Sequence, residues 1–130
     1  MDVVRDPVTK IPAIVTELVD MGSVKKFWEK VSPSNARFYM HEALKAVAYC
    51  HQRGVMHRDI KPHNIMIDEE NRKVRLIDFG QAEFYEPGRK YSPKVAAIFY
   101  KAPELLLGVE EYTPAVDIWA FGCTLAGIVF

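Results

Sequence analysis

The stretch MHRDIKPHNIMID, residues 56–68, sets Asp59, Lys61 and Asn64 within six positions, beside His57 and His63. Three uses fit such a segment: a charged surface loop, a metal site, or the working part of a phosphoryl-transfer enzyme. Its flanks narrow the choice. Two β-type runs, 65–67 and 74–77, enclose the polar segment DEENRK (68–73), which is the pattern of a hairpin. Centred between residues 70 and 71, the hairpin pairs positions whose numbers sum to 141. Ile65 then faces Leu76, Ile67 faces Val74, and Asn64 lies opposite Ile77. That register returns Asp78 to the neighbourhood of Asn64 and Asp59.

Upstream, Ser32 offers an N-cap with Pro33 at the first helical position. Ala36, Met40, Ala43, Leu44, Val47 and Cys50 then recur at helical spacing until Gly54 supplies a stop. A short helix is expected around 23–31. PAIVTELVD (12–20) reads as a strand leaving into a loop at Asp20–Gly22, without the sheet partners it needs. Residues 79–101 are expected to be irregular, with Pro87–Gly88 and Ser92–Pro93 as breakers. Pro103 opens a helical turn, and Thr113–Pro114 caps a last helix that is apolar nearly all round.

The bulk numbers suit one domain. The 130 residues are 49% hydrophobic and 26% charged, and 17 basic side chains cancel 17 acidic ones. Nothing global points to nucleic acid or a membrane as partner. The N-terminal MDVVRDPVTK is charged and lacks the apolar stretch of a signal peptide. The apolar run 118–130 is too short to span a bilayer. Cys50 and Cys123 show no CxxC spacing, so both are expected to be buried free thiols in a reducing compartment. No His, Cys or carboxylate pair has a structural zinc spacing. His57 reads as a packing and backbone-bonding residue, His41 and His51 as helix-surface residues. Asp68–Glu70 reads as a solvated turn and Lys25–Lys26 as a solvated helix face.

A loop that gathers Asp59, Lys61, Asn64 and Asp78 has a specific chemical use. Moving a terminal phosphoryl group needs metal ions to neutralise charge and a group to orient the attacking hydroxyl. Hard Mg²⁺ favours oxygen ligands such as those of Asn64 and Asp78. Asp59 would take or orient the hydroxyl proton, and Lys61 would offset charge on the moving phosphate.

His57-Arg58-Asp59 with Asn64 five positions after the Asp, then Asp78-Phe79-Gly80, then Ala102-Pro103-Glu104, match the protein-kinase signatures in their order. The finer resemblance is to the catalytic subunit of casein kinase 2. It is carried by ARFYMHEALKAVAYCHQRGVMHRDIKPHNIMID, RKVRLIDFGQAEFYEPG and DPVTKIPAIVTE, over roughly the first 90 residues. APELLLG and YTPAVDIWAFGC resemble cyclin-dependent kinases at least as much.

The resemblance implies an α+β, protein-kinase-like fold, mostly the helical C-terminal lobe with a remnant of the N-terminal sheet. Residues 1–22 would be the last strands and hinge of the small lobe, and 23–130 the large lobe through the helix containing Asp117. It implies a Ser/Thr kinase using ATP, with GTP as the alternative nucleotide, and Mg²⁺. Asp59 would be the base, Lys61 the phosphate-contacting Lys, and Asn64 and Asp78 the metal ligands. Met66 and Ile77 would form the adenine floor, Thr16 the gatekeeper and Glu17 and Val19 the hinge, with His63 either at the nucleotide or a partly exposed loop residue. Lys94 and Lys101 would face acidic protein substrates. Asp117 would anchor the catalytic loop, and Glu104 would pair with an Arg further along. Arg58 is a candidate to bind a phosphorylated residue of the segment holding Tyr85, Tyr91 and Ser92. Cytoplasmic and/or nuclear location and a regulatory subunit are also implied.

Departures from the casein kinase 2 pattern are Phe79 for its Trp, Thr16 for a bulky aromatic, Ile98 for an Arg and Ala97 for a small hydroxyl residue. The kinase pattern also calls for a GxGxxG loop and a strand Lys. No two of the seven glycines are separated by one residue, and KVAAIFYK (94–101) lies after the Asp78 triplet, so Lys101 is not that Lys. The expectation is the middle of a kinase domain: a fragment, an incomplete gene model, or half a site completed by another chain. If the natural chain ends as written, no phosphoryl transfer is expected from it alone. The contrasting function is a catalytically silent fragment that binds a partner through exposed apolar helices.

Overall fold

The computed structural model describes residues 2–130, and residue 1 of the expected small-lobe segment lies outside the described residues. Its longest element is α2 (Pro33–Gln52), preceded by α1 (Val24–Lys30). Ser32 caps α2 by accepting the Asn35 N–H at 3.3 Å, with Pro33 in the first turn. Such a cap contributes about 1 kcal/mol. Gly54 follows the helix at φ 71°, a left-handed conformation that glycine adopts without steric cost.

The buried side chains of α2 are Tyr39, Met40, Ala43 and Val47. Leu44, expected on that face, is 39% exposed, and Tyr39 takes the inner position instead. Cys50 is half-buried rather than buried, as is Cys123, and both thiols are free.

β4 (Ile65–Asp68) and β5 (Lys73–Leu76) form an antiparallel hairpin with Ile65 opposite Leu76 and Ile67 opposite Val74. Ile65 and Ile67 face the core while Met66 faces the other way, as period-two alternation requires. The turn keeps Glu69 and Glu70 in solvent, and Asp68 Oδ1 accepts the Asn71 N–H at 2.9 Å.

Two pairings depart from expectation. β1 (Asp2–Arg5) pairs antiparallel with β2 (Pro12–Val15), so the strand read as unpartnered has a partner. Val3 and Val4 are β-branched, and the intervening turn is tied by Asp6, whose carboxylate accepts from Val8 N at 3.0 Å and Thr9 Oγ1 at 2.8 Å. Flanking charges masked this strand. Within the segment read as irregular, β6 (Glu83–Phe84) pairs with β3 (Val55–Met56), and short 3-10 turns form at Phe79–Gln81 and Ile98–Tyr100. The β3–β6 pairing lays residues just after the Asp78 triplet against the entry to the 57–59 loop.

α3 (Pro103–Leu106) and α4 (Ala115–Val129) close the chain. The N-cap of α4 is Pro114, one residue later than Thr113, whose hydroxyl accepts the Ala115 N–H at 3.3 Å. One core cluster joins Trp28, Tyr39, Met40, Val47, Ile60, Ile65, Ile67 and Phe121 across α1, α2, β4 and α4. A second joins Met56, Tyr91, Val95, Leu105, Tyr112 and Val116. Each large side chain so buried contributes about 1.5–3 kcal/mol. α4 buries Val116, Asp117, Ala120, Phe121 and Thr124, while Ile118, Trp119 and Val129 on its other face are exposed. No helix is long and apolar enough to cross a membrane among the described residues.

Candidate active site

The loop after β3 is fixed from below by one carboxylate. Asp117, 1% exposed in α4, accepts the backbone N–H of His57 at 2.8 Å and of Arg58 at 2.7 Å. Its Oδ2 also lies 2.8 Å from His51 Nε2. His51 was expected on the helix surface; it is instead half-buried at the end of α2, where the chain's return brings α4 alongside.

His57 is fully buried, with Nε2 3.0 Å from the Ile77 carbonyl and Nδ1 accepting the Asp59 N–H at 3.3 Å. Those partners assign the proton to Nε2. Burial pushes the imidazole below its ordinary pKa, opposed by the Ile77 carbonyl and by the charges of Asp117, Asp59 and Asp78. The ring meets Phe79 edge-on at 4.7 Å.

This scaffold presents Asp59, 2% exposed. Its Oδ2 accepts from Lys61 Nζ at 2.7 Å and from Asn64 Nδ2 at 3.0 Å. Asn64 Nδ2 also donates to the Asp59 backbone carbonyl at 2.8 Å. The other oxygen, Oδ1, is buried and has no hydrogen-bond donor among the described residues. A buried carboxylate oxygen without a donor is costly, about 1–3 kcal/mol or more. An ionised carboxylate oxygen is a strong hydrogen-bond acceptor.

The hairpin delivers the second half of the site. Ile77 N–H donates to the Asn64 carbonyl at 3.0 Å, and Asp78 follows in the left-handed conformation with φ 62°. Asp78 Oδ1 accepts the Gly80 N–H at 3.3 Å, and a Cβ at Gly80 would sit 3.1 Å from that oxygen. Arg58 at φ 65° and Ala96 at φ 62° share this conformation. Each such non-glycine residue costs on the order of 1–3 kcal/mol and clusters where a structure over-determines it.

A Mg²⁺ ion fits the donors present. The Asn64 amide oxygen and Asp78 Oδ2 are hard oxygens that accept no hydrogen bond among the described residues. No group of three or more His, Cys, Asp or Glu is placed to hold a metal among the described residues, so phosphates and water would complete the shell.

Thr16, Glu17, Val19, Met66, Ile77 and Asp78 line one cavity of about 550 Å³, together with Leu18, Arg75, Leu76 and Phe79. Apolar walls ending at a carboxylate suit a ligand with a flat apolar part and a charged end. The family model of the protein kinase domain matches residues 2–130. The chain belongs to the protein kinase family.

Within this kinase domain the remaining expected site residues lie apart. His63 does not line the cavity; from its 3-10 turn it faces a separate groove beside Val24, Trp28 and Phe130. Lys94 is exposed, while Lys101 is half-buried and donates to the Pro93 carbonyl at 3.3 Å. Glu104 lines a groove with Ala115, Ile118 and Trp119 and makes no ion pair among the described residues.

Arg58 is already engaged. Its Nε donates to the Gln81 carbonyl at 2.6 Å and its Nη1 to the Tyr112 hydroxyl at 2.9 Å, which in turn donates to the Ser92 carbonyl at 2.7 Å. Tyr91 is buried, and its hydroxyl accepts the Glu86 N–H at 2.6 Å. Sequence reading missed Gln81 and Tyr112, which bond Arg58 of the loop directly, and His51, which bonds the Asp117 carboxylate beneath it. It also missed Arg75, whose guanidinium pairs with Glu17 across the cavity and holds that carboxyl below its usual range. Opposite charges on a strand and on the segment facing it were the one available signal.

Proposed function

We propose that this kinase transfers the γ-phosphoryl of ATP to Ser or Thr hydroxyls of proteins, in the manner of a casein kinase 2 catalytic subunit. The observation that carries the proposal is Asp59: Oδ2 is tied by Lys61 and Asn64, while Oδ1 is buried without a donor among the described residues. A substrate hydroxyl entering there donates to Oδ1. As its oxygen bonds to the γ-phosphorus, its proton passes to Asp59, and the bond from phosphorus to the bridging oxygen breaks with its electrons going to ADP. Lys61 offsets charge on the phosphoryl oxygens from its place beside Asp59. Asn64 and Asp78 would hold Mg²⁺, which when bound neutralises phosphate charge. Thr16, Glu17, Val19, Met66 and Ile77 hold the nucleotide base, with GTP as the alternative nucleotide to ATP.

Lys94, exposed beside the activation segment, supports a preference for acidic residues around the acceptor. Ile98 and Ala97 remove two groups that would strengthen it. The test is phosphoryl transfer by the intact protein to matched Ser, Thr and Tyr peptides in acidic and neutral contexts. Ser and Thr acceptance, faster in acidic context and reduced about 10²–10⁴-fold by Asp59→Asn, is expected. Transfer to Tyr alone, equal rates in both contexts, or full activity in Asp59→Asn would each remove the corresponding part of the proposal.

A further inference from the structure

Among the described residues five non-glycines have positive φ: Lys10, Arg58, Arg72, Asp78 and Ala96. Lys10 and Arg72 sit in exposed hairpin turns. The other three converge on Gln81. Its backbone carbonyl accepts Arg58 Nε at 2.6 Å, its 3-10 turn is capped by Asp78, and its side-chain Oε1 accepts the Ala96 N–H at 3.0 Å. The Ala96 N–H makes no other hydrogen bond among the described residues. A left-handed alanine persists only where its surroundings insist on it, and this side-chain amide is the group that holds it. Directly after Ala96 the chain forms the 3-10 turn Ile98–Tyr100, with Ile98 and Phe99 exposed, and reaches Lys101. Tyr100 lies close enough to Lys61 to feel its charge.

We propose that Gln81 is a positioning residue that locks the left-handed turn at Ala96 and so sets where the Ile98–Lys101 segment meets a polypeptide substrate. The proposal rests on the kinase reading for its functional part. Gln81 follows the Asp78–Gly80 triplet directly, so one residue ties the nucleotide side of the site to its peptide side. Leucine at this position keeps the bulk and loses the acceptor; glutamate keeps an acceptor oxygen.

The experiment compares wild type, Gln81→Leu and Gln81→Glu in the intact protein by amide hydrogen exchange over residues 94–101 and by steady-state kinetics. In Gln81→Leu, exchange at Ala96 should quicken and the KM for peptide should rise about fivefold, the size of one net hydrogen bond, with the KM for ATP unchanged. Gln81→Glu should restore both. Unaltered exchange at Ala96 in Gln81→Leu overturns the lock. Equal rises in both KM values, or no rescue by Gln81→Glu, overturn it too, because they mark a role in bulk packing alone. If wild type transfers no phosphoryl group, the kinase reading falls, and the exchange measurement still decides whether Gln81 holds Ala96.

Discussion

His51 Nε2 and Asp117 Oδ2 meet at 2.8 Å across 66 residues of chain, on the carboxylate that also receives the His57 and Arg58 backbone N–H groups. The end of α2 and the start of α4 are thereby joined beneath the loop that presents Asp59. Asp117→Ala strands the buried His57 N–H and the half-buried Arg58 N–H, at about 1–3 kcal/mol each. Urea unfolding should show a loss of about 2–6 kcal/mol, while His51→Ala, which leaves both backbone bonds in place, should lose clearly less. Equal losses would contradict this division of labour.

The His57 imidazole is held below its ordinary pKa mainly by burial. The unfolded chain takes up a proton at that site near pH 6.5 and the folded chain resists it. Stability from this group is therefore present above about pH 6.5 and lost as pH falls from there through the folded pKa. Urea midpoints at pH 7 and pH 5.5 should differ more for wild type than for His57→Gln. Parallel slopes in the two proteins would show that His57 does not carry the linkage.

Met66 lines the cavity from the face of β4 opposite the core. On the proposed reading, Met66→Ala removes apolar contact from the nucleotide base without opening the core behind Ile65 and Ile67. The KM for ATP should rise about tenfold, in line with about 0.8 kcal/mol per buried methylene, with the KM for peptide unmoved. A nucleotide titration that gives the wild-type constant would exclude Met66 from the contact.

The Tyr112 hydroxyl accepts from Arg58 and donates to Ser92, so it ties the 57–59 loop to the activation segment. Tyr112→Phe should cost about 1–3 kcal/mol and speed tryptic cleavage at Lys90 and Lys94. Cleavage at the wild-type rate would show that the segment is held elsewhere.

Contacts between neighbours in the chain were legible from the sequence, and contacts that depend on local backbone reversals were not. Alternation around a polar turn is a local signal, so the pairing of Ile65 with Leu76 and Ile67 with Val74 followed from it. The Ser32–Pro33 start of α2 is local too. The bonds of Arg58 to Gln81 and Tyr112 depend on a left-handed Arg58, a conformation that no pattern announces for an arginine. The β1 strand was hidden by charges at Asp2, Arg5 and Asp6, although Val3 and Val4 carry the β propensity. Leu44 and His51 were misplaced because periodicity gives the apolar side of a helix and not which neighbour arrives beside it. His63, left open between a nucleotide contact and an exposed loop position, is exposed in its 3-10 turn beside α1.

The β4–β5 turn at Glu69–Arg72 looks like dispensable surface, exposed and polar. Exposed turns ordinarily accept insertions. Here the count of residues in the turn is a mechanical setting. One residue more or fewer slips the register and exchanges the two faces of a strand, putting Met66 where Ile65 or Ile67 belongs and carrying Asp78 away from Asn64. Evolution and protein engineering should therefore find these four positions free in letter and closed in number.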